Sequence, residues 1–238
     1  MNLRSLLFSL LIFTSFIALA QKPKVENLPN FKQKRIHFGF SLGLNNASYT
    51  LDRKQIDFKN DSLLRIDVES QSGFNLGIVS ALHFNEFFSL RFVPTLSFAQ
   101  RNLNYTFNNP STGESEVLIK PLESTNIELP LLFKYRSQRL NNFAAYLIAG
   151  GKYVIDLASN EDVNNADLRE LIVKQQSQYV AAEVGIGTDF FLPYFKFSIE
   201  GKMSYGIKNI IVRDNTIFSN PIERMLPKMF ILSLHFEG

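Results

Sequence analysis

The stretch that most constrains this chain is its last one. From Met229 to Gly238, Phe230, Leu232, Leu234 and Phe236 alternate with Met229, Ile231, Ser233 and His235 up to the C-terminus. Period-2 alternation marks a strand with two unlike faces. A chain that finishes on such a strand suits a transmembrane barrel, whose final strand must pair with the first. An open edge in lipid would leave backbone donors and acceptors unsatisfied at several kcal/mol each. A soluble edge strand has the same local pattern, so the upstream sequence decides between them.

Residues 1–20 read as a secretory signal peptide: Arg4 supplies the positive region, Leu6 to Ile17 the apolar region, and Ala18-Leu19-Ala20 the small-x-small cleavage site before Gln21. The mature chain is therefore expected outside the cytoplasm. No later run reaches the ~18 apolar residues of a spanning helix, so any membrane crossing must be made by strands. The chain has no cysteine, hence neither disulfides nor a lipid-anchored thiol, and its stability must come from sheet closure. With 23 Phe, 8 Tyr, 45% hydrophobic and 20% charged residues, the composition fits one greasy surface and one polar one. A formal charge of +3 with no Lys/Arg block among aromatics argues against nucleic acid as a partner. Residues 21–35, with Lys22, Lys24, Lys32, Lys34 and Arg35 against Glu26, and with Pro23 and Pro29, read as a basic periplasmic leader, solvated rather than structured.

From residue 36 to 238 eight period-2 segments follow. Ile36–Leu44 sets Phe38, Phe40 and Leu42 against His37, Gly39 and Ser41; Gly73–Phe84 sets Phe74, Leu76 and Ile78 against Asn75 and His83. Phe87–Arg101, Ser124–Tyr135, Phe143–Leu157, Tyr179–Phe191 and Phe195–Lys208 continue the pattern to the C-terminal strand. Connections alternate in length: tight at Asn85-Glu86, Arg136 to Asn142 and Leu192 to Tyr194, long and polar at Asn45–Ser72, Asn102–Glu123, Ala158–Gln178 and Asn209–Leu226. That is the sidedness of an outer-membrane barrel with short periplasmic turns, long outer loops and both termini periplasmic. The expected fold is thus an all-β, eight-stranded, antiparallel up-and-down transmembrane β-barrel.

A secreted lipocalin-like barrel would show the same alternation with its apolar face inward. Side-chain volume separates the two. Phe, Leu and Ile crowd one face, while the other holds Gly, Ser and charges, and an eight-stranded barrel has interior room only for the smaller set. Phe84, Phe88, Phe143, Phe190, Phe195 and Phe236 fall at the short-turn ends and Tyr153, Tyr179 and Tyr205 toward the long loops, as two interfacial girdles would. Pro94 and Pro130 each remove a ladder donor in mid-strand, which predicts a bulge or a wet lumen there.

Parity sends Arg91, Lys134, Lys152, Lys196 and Lys202 inward together with Glu128, Asp156, Glu183, Asp189 and Glu200. Equal numbers of each sign predict a self-neutralising plug rather than a conducting pore. His37, His83 and His235 share the inward parity near one rim; they are ordinary polar lining unless the strands bring all three together as a metal site. No G-x-S-x-G, H-E-x-x-H, phosphate loop or cysteine nucleophile is present, so neither an enzyme nor a cofactor is expected.

Asn27-Leu28-Pro29-Asn30-Phe31 before His37-Phe38-Gly39-Phe40, Leu90-Arg91-Phe92-Val93-Pro94, Glu128-Leu129-Pro130-Leu131-Leu132, Gly150-Gly151-Lys152-Tyr153 and Ser204-Tyr205-Gly206 together resemble the PorT (SprT) family of Bacteroidetes outer-membrane barrels, over most of the mature chain. The resemblance implies a non-enzymatic component of type IX secretion and gliding in the outer membrane, in contact with membrane lipids and, through loops or leader, with other secretion proteins. The alternatives are a structural or adhesive small barrel, or a membrane-embedded lipid-modifying enzyme.

Overall fold

The computed structural model describes residues 25–32, 34–54, 63–108, 114–161, 171–214 and 216–238; the expected signal peptide, residues 1–20, lies outside them. After a short 3-10 turn at Pro29–Lys32 come β1 (Ile36–Arg53), β2 (Leu63–His83), β3 (Phe88–Phe92), β4 (Thr95–Asn108), β5 (Ser115–Arg136), β6 (Phe143–Asp156), β7 (Gln178–Phe191), β8 (Lys196–Gly206) and β9 (Ile222–Glu237). Each segment pairs antiparallel with its neighbour, and β1 pairs with both β2 and β9, which closes the sheet on itself. Because β3 and β4 are halves of one interrupted strand, the ring has eight strands. Gly39 faces Glu237 across the closing seam, and the Gly238 N–H donates to the Phe38 carbonyl at 3.1 Å, so the last residues complete the ladder.

The expected bulge at the prolines is absent. Register between β2 and the third strand is the same on both sides of Pro94, with Ser80 opposite Phe92 and Gly77 opposite Thr95. The register shifts between β2 and β4 fall instead between Leu63 and Arg65 and between Ser70 and Phe74, and at the latter an added Cβ on Gly73 would collide with the Phe98 carbonyl. The prolines are accommodated by a side chain. Val93 donates to the Pro130 carbonyl at 3.4 Å, so the Val93 carbonyl faces a residue with no N–H to return, and the Thr95 hydroxyl donates to it at 2.7 Å. Thr95→Val should leave that carbonyl unsatisfied and destabilise the refolded barrel by about 1–3 kcal/mol in urea unfolding, while Thr95→Ser stays near the parent.

Outward side chains over the central girth are Phe38, Phe40, Phe74, Ile78, Leu131, Phe133, Val184, Ile186 and Phe230, all exposed. Residues of opposite parity are buried inside. Two expectations about the long loops are corrected. Much of Asn45–Ser72 and Asn102–Glu123 is strand, because β1 runs to Arg53, β2 starts at Leu63, β4 runs to Asn108 and β5 starts at Ser115. Beyond the apolar band the alternation continues with its polarity inverted: Ala47, Tyr49, Leu103 and Tyr105 are buried inside, while Asn46, Ser48, Asn102 and Asn104 have the outward parity. Tyr179 follows the same inversion. It is 8% exposed, within the inner cluster, and does not belong to an aromatic girdle.

Candidate functional site

The barrel interior is occupied by two groups of paired charges, one at the short-turn end and one deeper. Arg91 on β3 donates to Glu200 on β8 at 2.7 Å and to Glu237 on β9 at 3.0 Å, and the other Glu237 oxygen accepts from Lys196 at 2.8 Å. Lys134 on β5 reaches both oxygens of Asp189 on β7 at 2.8 Å, and Ser198 donates to the same carboxylate at 2.6 Å. The Lys134 ammonium lies 3.5 Å from the centre of the Tyr146 ring, whose hydroxyl donates to Glu200 at 2.9 Å. Deeper toward the long loops, Lys152 pairs with Glu128 at 2.9 Å and Glu183 at 3.1 Å, and Lys202 pairs with Glu183 at 3.2 Å. Glu128 apart, these carboxylates link two cations or several donors, so the strands are tied across the lumen as well as along it. Charges this buried persist through their partners.

Both ends of the interior are capped. At the short-turn end Phe31, 6% exposed, stacks on His37 with ring centres 3.7 Å apart and meets His83 and Phe191 edge-on, under the Lys196 ammonium. The preceding residues are tied down: Asn27 N–H donates to Asn142 at 2.8 Å, the Asn27 amide donates to the Phe191 carbonyl at 2.9 Å, the Asn142 amide donates to the Val25 carbonyl at 3.0 Å, and Arg139 donates to the Asn27 carbonyl. The described part of the leader is therefore a stopper, not a solvated tail. Phe31 buries with Ala144 and Phe191, and Leu28 packs against the same cluster. At the opposite end the connections expected as polar loops fold inward. Val173, Ile210, Ile211 and Phe218 bury against Tyr49, Leu103, Tyr105 and Met225, and Gln175 bridges to Ile211 and accepts from the Tyr49 hydroxyl at 2.6 Å.

A closed ring with an apolar outer belt and a charged, plugged interior is the architecture of an outer-membrane barrel, and a family model of that description, "outer membrane protein beta-barrel domain", matches residues 19–212. The chain belongs to this family. It is accordingly an outer-membrane β-barrel protein. Among solved structures, this barrel is similar to the outer membrane protein OprG from Pseudomonas aeruginosa (13% identity over 85% of this chain and 91% of that one, TM-score 0.42). It is also similar to Neisserial surface protein A (13%, 84% and 96%, TM-score 0.41) and to the attachment invasion locus protein Ail of Yersinia pestis (12%, 86% and 100%, TM-score 0.38). Comparison with curated proteins found no match.

In this outer-membrane barrel all the lumen charges expected from parity are inside: Arg91, Glu128, Lys134, Lys152, Asp156, Glu183, Asp189, Lys196, Glu200 and Lys202 are each buried. Asp156 departs from the expected network. It accepts from the Thr125 and Ala158 N–H groups and from Gln175 at 2.8 Å, with no cation in ion-pair range among the described residues. Three further charges share the interior. Arg101 and Glu237 lie on inward parity within segments already read as strands, and Arg136 directly follows Tyr135, so the alternation applied to every charge, and carried one residue past Tyr135, would have found them. The histidines do not converge. His37 and His83 rings lie 4.9 Å apart, but His235 faces Ser41 across the seam, four residues from His37 and hence ~13 Å along the strand, where it meets Glu200 at 3.3 Å. The His37 nitrogens already face the carbonyls of Gly238, Phe31 and Lys34. Among the described residues no group of His, Asp and Glu is placed to hold a metal ion.

Proposed function

We infer that this outer-membrane barrel is a non-enzymatic component of a type IX secretion apparatus. What supports this reading is where the segments resembling PorT fall. Leu90–Pro94 and Glu128–Leu132 form the paired-proline crossing, and Gly150–Tyr153 supplies both Lys152 of the network and a glycine whose Cβ would strike the Leu131 carbonyl opposite. Asn27–Phe31 is the stopper. Among the described residues the lumen is filled by paired charges and capped at both ends, which leaves little for transport through the barrel itself, so its role rests on surfaces: the long-loop end, the leader and the lipid belt. Other secretion proteins are the expected partners, and nucleic acid is not.

Deleting the gene in its host tests the role. Type IX substrates should then accumulate inside the cell and gliding should stop, with both restored by the parent gene. Normal export would favour the structural or adhesive small barrel instead. Orientation is testable separately. With termini and short turns periplasmic, an impermeant maleimide added to intact cells should label a cysteine at Asn220 and spare one at Glu86; labelling of Glu86 alone would invert the topology.

A further inference from the structure

Beside Phe31, at the short-turn rim, lies a cavity of about 280 Å³ walled by Lys34, Arg35, His83, Phe84, Glu86 and Arg136. Two of its polar nitrogens, on buried Arg136 and half-buried His83, are unspent. Arg136 is 6% exposed and donates one terminal guanidinium nitrogen to the Glu86 carbonyl at 2.9 Å, while its Nε has no hydrogen-bond partner; nor has the Nδ1 of His83. The lumen network does not use them, since Glu237 is already held by Lys196 and Arg91. The two exposed cations are held beside them, because the His83 N–H donates to the Arg35 carbonyl at 2.8 Å. Among the residues that wall the cavity, Glu86 is the one carboxylate against Lys34, Arg35 and Arg136. Phe84 forms the remaining wall with its ring on the outward, lipid-facing side, 58% exposed. A buried guanidinium with exposed cations beside it suits the oxygens of a phosphate, and the aromatic wall puts the recess at the depth where hydrocarbon gives way to headgroups.

We propose that this recess binds a phosphate-bearing anion, the phosphate of a membrane lipid headgroup or free phosphate. The barrel, purified at full mature length in detergent, is mixed with phosphatidylglycerol, with diacylglycerol of the same chains, or with phosphatidylglycerol plus inorganic phosphate, and retained lipid is counted by native mass spectrometry. Phosphatidylglycerol should be retained and diacylglycerol lost. The double variant Lys34→Ala/Arg35→Ala should weaken retention by about tenfold or more, as loss of two basic groups near an anionic surface implies. Lys208→Ala/Arg213→Ala, at the far end of the barrel, should leave retention unchanged. Arg136→Gln should act like the first pair if it folds, and the exposed pair decides the matter if it does not. Displacement by inorganic phosphate would assign the site to phosphate from any source, and resistance to displacement would assign it to lipid. Equal retention of phosphatidylglycerol by the parent and Lys34→Ala/Arg35→Ala, or of diacylglycerol and phosphatidylglycerol by the parent, would overturn the proposal.

Discussion

Glu237→Leu should be among the most destabilising single substitutions in the barrel, at about 3–5 kcal/mol in equilibrium unfolding of the refolded protein. The reason is geometric. Glu237 accepts from both Arg91 and Lys196, and the two cations are each 1% exposed. Arg91 keeps Glu200, but Lys196 keeps no carboxylate in ion-pair range among the described residues. Its ammonium lies 4.8 Å from the centre of the Phe31 ring. Removing one member of a buried pair leaves an uncompensated charge, whereas removing both removes the cause. The double variant Glu237→Leu/Lys196→Met should therefore recover a large part of the loss. If the single variant unfolds at the parent's midpoint, Lys196 is hydrated and the lumen is wet at that level. Glu128→Leu should cost less, because Lys152 retains Glu183 at 3.1 Å.

The part of this molecule that the sequence made legible is the part where a side chain's parity alone decides its surroundings. Between the rims, lipid outside and a narrow lumen inside admit different residue types, so alternation sorted Phe38 from His37 and Leu131 from Glu128 without any knowledge of the neighbouring strands. Pairing within the lumen was legible only in part, because it depends on stagger across the ring. That Arg91 would meet acids followed from composition; that it would meet Glu200 and Glu237 did not. The same stagger defeated the histidine cluster, in which parity was right for all three residues and height was wrong for His235. The strand ends were misread for a different reason. Above the lipid band water replaces hydrocarbon outside and apolar packing replaces charges inside, so the alternation keeps its period and reverses its sign. A search for apolar-out strands stops at Leu44, although Ala47 and Tyr49 carry β1 onward to Arg53. The depth at which the sign reverses marks the membrane boundary, which makes that misreading informative.

Phe31→Ala should open one end of the barrel and leave the other shut. The ring is nearly fully buried, contacts His37, His83 and Phe191 and lies under Lys196, so truncation removes packing at a site that the polar leader cannot refill. Loss of a buried Phe costs about 3–5 kcal/mol in a core, and the lower end of that range is expected at a mouth where water can enter. Accessibility gives the sharper readout. The chain has no cysteine of its own, so Ser41→Cys, at a position 8% exposed on the lumen side of β1, reports water entry from the short-turn end. Against that background Phe31→Ala should speed labelling by a small soluble thiol reagent by about tenfold or more, the behaviour of a site whose protection came from a local closed state. Ion conductance across a planar bilayer should stay at the parent's level, because the apolar cluster of Tyr105, Ile210, Phe218 and Met225 still closes the long-loop end. Faster labelling together with new conductance would mean that the two caps are coupled. Unchanged labelling with unchanged stability would show that Phe31 is not the stopper, and that the charge network alone keeps water out.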